Sequence, residues 1–303
     1  MGNFIIVKIF FRLGISDGMN LSLISLALCD LFYLVPAFVI SVSMVLHGVE
    51  ELSDFKVWFP VEPETVYMIS TNVGSGFYAI SMLVTTFITV VRCLAVVDPL
   101  KYRNLISLKS SAVVIASFSI VSILFAILLL VYMGVSPQFD SNTNATRLVL
   151  WISPKRALTK DVIFGIRDMF LPLASQTIVG ACVVIMASCL QKAAHFRQHL
   201  SSDPKGKIIN KECTPAKLVG KELQVARQML LIATVYSLCN MPKVVFNLTQ
   251  LIVPDFYRGG RYSALYLTFN IIRELIQSVN ASVTFFIYWK YNSKFRSHFG
   301  LHH

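Results

Sequence analysis

Charge is what this sequence has least of. Only 14% of its 303 residues are Asp, Glu, Lys or Arg, against about 25% in ordinary soluble domains. Apolar residues make up 55% and the mean hydropathy is +0.65. A soluble globule of this size could not cover its surface with so little charge. The balance also excludes a disordered chain, a collagen-like chain, a disulfide-dense secreted domain and most cytosolic enzymes. Cysteine is scarce as well. Of six cysteines, Cys29, Cys93, Cys182, Cys189 and Cys239 fall in apolar runs and Cys213 in a basic loop, so no structural disulfide is expected. No basic region or small-residue cleavage site marks a signal peptide. No internal repeat supports a transporter built on inverted repeats. No His-Glu-x-x-His pattern is present, and His195 and His199, although spaced for one helical face, lie in a polar loop and read as solvated. The chain is not expected to be an enzyme or to carry a cofactor.

What is there is a series of uncharged runs. No Asp, Glu, Lys or Arg occurs in 31–49, 65–91, 110–139, 169–191, 228–242 or 275–289. A helix needs about 20 largely apolar residues to cross the hydrocarbon of a bilayer. The first four runs meet that length, and apolar flanks extend the last two. The expected spans are 20–47, 64–97, 109–135, 161–191, 221–251 and 262–289, preceded by a partial one over 2–13. The fold class is therefore all-α: a seven-transmembrane-helix bundle with a truncated first helix. After Tyr288, Tyr291, Phe295 and Phe299 recur at helical spacing among basic residues. They predict a short amphipathic helix over 290–299 on the cytoplasmic leaflet.

Orientation follows from the basic residues. With the loop before Leu21 inside, 17 of the 27 Lys and Arg and only five of the 16 acids face the inner side. The net charge of +11 is thus a topology signal and does not point to nucleic acid. The N-terminus belongs outside once the first helix is complete, and the C-terminus in the cytoplasm. Asn144, in Asn144-Ala145-Thr146 of an outer loop, is the one usable glycosylation acceptor unless the short motif is a coincidence. The sequon at Asn20 would be cytoplasmic, and that at Asn280 lies within a span.

Polar residues inside spans are costly and mark candidate sites. Asp30 stands in Leu26-Ala27-Leu28-Cys29-Asp30, and Arg92 in Val91-Arg92-Cys93 ahead of Pro99 and Leu100. Pro242 stands in Cys239-Asn240-Met241-Pro242, and Tyr288 ends Thr284-Phe285-Phe286-Ile287-Tyr288. With Gly2-Asn3 near the start and Trp58-Phe59 in the first outer loop, this ordered set resembles the rhodopsin-like (class A) G-protein-coupled receptors along nearly the whole chain. Gly14, Ser16, Asp17 and Asn20 resemble invertebrate, molluscan-style peptide or chemosensory receptors.

The resemblance implies a plasma-membrane receptor. It would bind an extracellular ligand in the outer half of the bundle and activate a heterotrimeric G protein at the inner face. Arg92 would contact the G protein, with Glu222 as its inactive-state partner or else merely solvated. Pro172 and Pro242 would be hinges, Asn240 would replace the sixth-helix Trp, and Tyr288 would swing on activation. Asp30, Ser81 and Asn280 match three positions of a sodium site, sodium being an allosteric ligand there; a simply hydrogen-bonded Asp30 is the alternative. The ligand-binding candidates are Tyr78, Arg167, Asp168, Lys243, Asn247, Asn270, Arg273 and Glu274. Among them Lys243 either forms an internal ion pair with Glu274 or, like Arg167, takes a carboxylate while Glu274 takes an amine. Such a site would suit a peptide or a small charged or zwitterionic molecule. Gly74 stands where amine receptors carry Asp, and Ser278 where opsins carry their retinal lysine.

The departures are specific. If Gly2-Asn3 is the family's pair, Met1 falls mid-helix and the chain is expected to be an incomplete piece or a receptor remnant that no longer signals. Tyr67 stands where the third helix usually has Cys, the 136–160 loop has none, and Val91 replaces the acid beside Arg92. A multi-span transporter or channel is the competing class. Charges near the midplane would mark it, and only Asp30 lies there.

Overall fold

The computed structural model describes residues 2–13, 18–97, 107–141, 144–202, 220–257 and 259–291; the side chains of 13, 193–202, 220–225 and 291 are outside that description. Within it the chain forms α1 (Gly2–Leu13), α2 (Gly18–Leu52), α3 (Pro63–Val97) and α4 (Leu108–Val131), then strands β1 (Met133–Asp140) and β2 (Ala145–Ile152). There follow α5 (Arg156–Ile163), a π-helical stretch (Phe164–Phe170) and α6 (Leu171–Ser202), which make one continuous rod, and finally α7 (Gly220–Ile252) and α8 (Ser263–Tyr291).

Local sequence explains the helix starts. Pro63 opens α3, where its missing N–H has no bond to lose. Ser107 caps α4 by accepting from the Ser110 amide at 3.1 Å. Within the helices, hydroxyls satisfy themselves on the preceding turn, as Ser22 does on the Gly18 carbonyl, Thr85 on Ser81 and Thr89 on Thr85. These hydroxyl donors then need no partner in an apolar surround.

Helix α3 is the axis of the bundle. It packs against α2, α4, α6 and α7, and α1 and α8 close the ring against α2. One apolar core gathers Ile6, Phe10, Leu23, Val84, Ile88, Met229 and Tyr288 around the Arg92 end. A second joins Met82, Val179, Met186 and Ala233 from α3, α6 and α7. Asn3 donates to the Ala281 carbonyl at 2.8 Å and ties α1 to α8. Where α2 crosses α4, a Cβ on Gly18 would lie 2.5 Å from the Ser111 hydroxyl and 3.1 Å from the Ser107 carbonyl oxygen, so a larger residue would have to push the Ser111 side chain aside.

Five helical segments are long and apolar enough to cross a membrane: Gly18–Leu52, Pro63–Val97, Leu108–Val131, Arg156–Lys192 and Ala226–Ile252. Helix α1 is short, and α8 carries Arg273, Glu274, Gln277 and Asn280 along its length. Helix α4 is the most lipid-like, with Ile120, Leu124, Ile127 and Val131 exposed.

Two features differ from the sequence expectation. The chain is not purely helical: residues expected to finish the span 109–135 and to form a plain loop instead build an antiparallel hairpin, pairing Met133 with Ile152 and Asp140 with Ala145. The β-branched and aromatic residues of β2, Thr146, Val149, Trp151 and Ile152, suit a strand. The rod expected to end at 191 continues as helix to Ser202. The amphipathic helix expected over 290–299 falls outside the described residues beyond Tyr291.

The hairpin is pinned to the bundle. Leu148 accepts from the Glu62 amide at 3.0 Å and donates to the Pro60 carbonyl at 2.9 Å. Beneath this rung Arg147 and Glu50 form a buried ion pair at 2.6 Å. Glu50 also accepts from the Phe59 amide at 3.0 Å, and Arg147 reaches Asp140 at 3.4 Å. All five described cysteines are free.

Candidate ligand cavity and polar core

Pro172 shapes one wall of the site. Proline has no N–H to give the carbonyl four residues earlier, which here belongs to Asp168. The chain widens into the π stretch just before Pro172, and the Leu171 amide bonds back to Ile166. The Asp168 carbonyl accepts instead from the Asn247 side chain on α7. The same stretch turns both Arg167 and Asp168 inward, their side chains only 7% and 14% exposed.

The charged residues meet in one cluster. Arg167 holds Asp168 through two donors, at 2.8 and 3.1 Å. Arg273 holds Glu274 at 2.6 Å and the Asn270 carbonyl oxygen of its side chain at 2.7 Å. Asn270 in turn donates to Tyr67 at 2.9 Å, across to α3. Lys243 lies 3.8 Å from Asp168 and 4.2 Å above the ring of Tyr78. The internal partner of Lys243 is thus Asp168 and not Glu274, because Arg273 beside Glu274 and Tyr33 opposite it occupy that carboxylate. Tyr33 donates to Glu274 at 2.9 Å, and Gln277 lies 3.2 Å from the same hydroxyl.

All eight ligand-binding candidates therefore fall in one region, at the hairpin end of α3, α7, α8 and the π stretch. Four of them, Tyr78, Lys243, Arg273 and Glu274, line a cavity together with Tyr33 and Gln277. It leaves room for about one water molecule. Gly74 forms part of its wall; a Cβ there would sit 3.2 Å from Pro36. Tyr33, Tyr67 and Gln277 were not singled out from sequence. Tyrosine and glutamine are unremarkable in a membrane helix until the fold turns them toward charge.

Toward the Arg92 end, a polar seam crosses the core. Tyr78 donates to Asn240 at 2.7 Å. Gln176 on α6 donates to the Ser237 side chain at 2.5 Å and the Ser237 carbonyl at 3.2 Å. That carbonyl lies five residues before Pro242, where the proline kink loosens the helix ladder. Thr86, Ser175 and Tyr236 follow in a hydroxyl chain from α3 to α6 to α7, with Ser175 and Tyr236 2.9 Å apart.

Asp30, Ser81 and Asn280 do converge. Ser81 donates to Asp30 at 2.6 Å. With Asn280 and Thr284 they line a second cavity of the same size. Carboxylate, hydroxyl and amide oxygens are the donors a hard cation takes, so the residues fit sodium. Among the described residues no cluster of three His, Cys, Asp or Glu could hold a metal.

Tyr288 is buried, edge-on to Phe10 with ring centroids 5.5 Å apart. Arg92 is half-buried, and its Nε has no hydrogen-bond partner among the described residues. The side chain of Glu222 lies outside the described residues. Asn144 is exposed at the hairpin turn, with φ at +50°, a conformation asparagine tolerates better than most residues.

Residues 2–288 match the seven-transmembrane receptor (rhodopsin family). The match covers nearly the whole chain, and the chain belongs to that family: it is a rhodopsin-like G-protein-coupled receptor and a multi-pass membrane protein. No curated protein matches it.

Proposed function

We propose that the chain is a seven-span plasma-membrane receptor. It binds an extracellular peptide or small charged ligand at the hairpin end and activates a heterotrimeric G protein at the Arg92 end. The observation that carries this is the convergence of Tyr78, Lys243, Arg273 and Glu274 from three helices on one cavity, while Arg92 lies about four turns beyond Tyr78 along α3. Buried charge on this scale is costly in a membrane and needs a use. The polar seam through Asn240, Gln176 and Tyr236 ties α3, α6 and α7 together below the cavity, so a ligand that moves α7 against α6 would shift helices that continue to the Arg92 end.

In this mechanism Arg92 engages the G protein and Glu222 restrains it at rest. Asn240 couples the cavity floor to the kink at Pro242, and Tyr288 repacks from its site beside Phe10. Asp30, Ser81 and Asn280 hold sodium in the resting state, and Asn144 carries sugar outside.

The test is G-protein dissociation in cells expressing the full-length chain, with surface staining in parallel and pools of peptides and small metabolites as ligands. Evoked dissociation that disappears in Arg92→Ala at equal surface expression is the expected result. Retained coupling in Arg92→Ala, or good surface expression with no basal or evoked signal, would overturn the assignment.

A further inference from the structure

The cluster beside the cavity has more positive charge than negative. Among the described residues it holds three cations, Arg167, Lys243 and Arg273, and two anions, Asp168 and Glu274. Each arginine has its own carboxylate at hydrogen-bonding distance, 2.8 Å for Arg167 and 2.6 Å for Arg273. Lys243, only 3% exposed, reaches Asp168 at 3.8 Å, a carboxylate that Arg167 already holds. It is the surplus cation.

The cavity also has more donors than acceptors to meet them. Arg273 Nε and Gln277 Nε2 are buried with no hydrogen-bond partner, and both residues line the cavity with Lys243. Gln277 turns its Oε1 to the Tyr33 hydroxyl at 3.2 Å, so its Nε2 is the end left without an acceptor. A buried cation that must share its counter-ion and a buried N–H without an acceptor are each destabilising. The group that cures both is an anion with at least two oxygens.

Its charge and size are bounded. A surplus of one cation balances one negative charge. Glu274 and Asp168, held close by, repel a second, which disfavours a phosphate dianion. A cavity with room for about one water molecule admits no more than the tip of a terminal group, which takes that water's place. An amine finds no site here, because Glu274 is already held by Arg273 and Tyr33 and Asp168 by Arg167.

We propose that this cavity is the receiving site for a single terminal carboxylate on the ligand, with one oxygen on Lys243 and the other on Arg273 Nε and Gln277. The rest of the ligand extends toward the hairpin end. The assignment rests on the receptor function proposed above and narrows it from any charged ligand to an acid. A peptide C-terminus and a small organic acid share this chemistry.

The experiment uses the purified full-length receptor in detergent, with unfolding followed by a thiol-reactive dye on its buried free cysteines. The probes are matched pairs: small monocarboxylic acids and their amides, and a peptide library with free-acid or amidated C-termini. The expected result is that acids raise the melting temperature and amides do not; the arm that responds names the source. Lys243→Gln and Gln277→Glu should each weaken the acid response tenfold or more, and Lys243→Arg should retain most of it. In the ligand-free receptor Lys243→Gln should leave the melting temperature unchanged or raise it, since it removes the surplus charge.

Equal stabilisation by amides, stabilisation by cationic probes, or no response to any acid up to its solubility limit would overturn the proposal. So would collapse of the ligand-free Lys243→Gln receptor, which would make Lys243 a structural partner of Asp168. Ligand-evoked G-protein dissociation without acid selectivity sinks the carboxylate site alone. Acid-selective binding without G-protein dissociation keeps the site and sinks the coupling function.

Discussion

Arg147 and Glu50 meet at 2.6 Å, and both side chains are buried. One belongs to the hairpin and the other to the last turns of α2. Tyr67 stands where related receptors tie this hairpin to the third helix through cysteine, and no cysteine is available in the hairpin. The ion pair, the Phe59 bond to Glu50 and the rung at Leu148 hold the hairpin without a covalent link.

Removing one partner of a buried pair leaves the other charge without compensation, at a cost of roughly 3–5 kcal/mol. Glu50→Gln and Arg147→Met should each lower the melting temperature and surface expression clearly. The double replacement Glu50→Leu with Arg147→Met should recover part of the loss, because apolar pairs can replace buried ion pairs. Single variants as stable as the parent would show that the hairpin is held elsewhere.

Asn247 and Pro172 are coupled through the Asp168 carbonyl. Asn247→Ala strands that carbonyl and should cost about 1–3 kcal/mol. Pro172→Ala restores a backbone N–H that can serve the same carbonyl, so Asn247→Ala should cost less in that background. A double-mutant cycle on the melting free energy should show coupling of about 0.5–3 kcal/mol. Strict additivity would mean that the two residues act independently.

At the Arg92 end the expected lock involves Glu222. Glu222→Ala should raise basal G-protein dissociation without a change in surface level, and Arg92→Ala should abolish evoked dissociation. Basal activity that stays at the parent value in Glu222→Ala would remove Glu222 from the switch.

The Asp30 cavity makes a prediction about salt. If sodium sits among Asp30, Ser81 and Asn280, sodium chloride should stabilise the ligand-free receptor more than choline chloride at equal ionic strength. Asp30→Asn should erase the difference by removing the only carboxylate. Equal melting in both salts would leave Asp30 as the hydrogen-bond partner of Ser81 and nothing more.

Much of the architecture was legible from the chain alone. Uncharged runs define membrane helices because burying a charge in hydrocarbon is costly over any stretch of about 20 residues. That is a local property, summed along the sequence. Seven of the eight ligand candidates stood out because charges and amides beside apolar runs are costly, and the fold brings all eight to one region. Asp30, Ser81 and Asn280 were found by their places in a resemblance, and the fold does bring them to one cavity.

Pairing was not legible. Whether Lys243 meets Glu274 or Asp168 depends on how each helix is rotated about its own axis, and one residue of phase is about 100°. The π stretch before Pro172 changes that phase, which no periodicity in the sequence reveals. The hairpin hid for a similar reason: 133–152 is too short and too mixed to announce strands until α2 and the 60–62 segment supply partners. Sequence by itself determined that this protein spans a membrane, which family it resembles and which side chains are polar where polarity is expensive. Only the tertiary structure decided which of those side chains neutralise one another. It thereby left Lys243 as the cation over, because charge balance is a property of contacts between helices and not of any one of them.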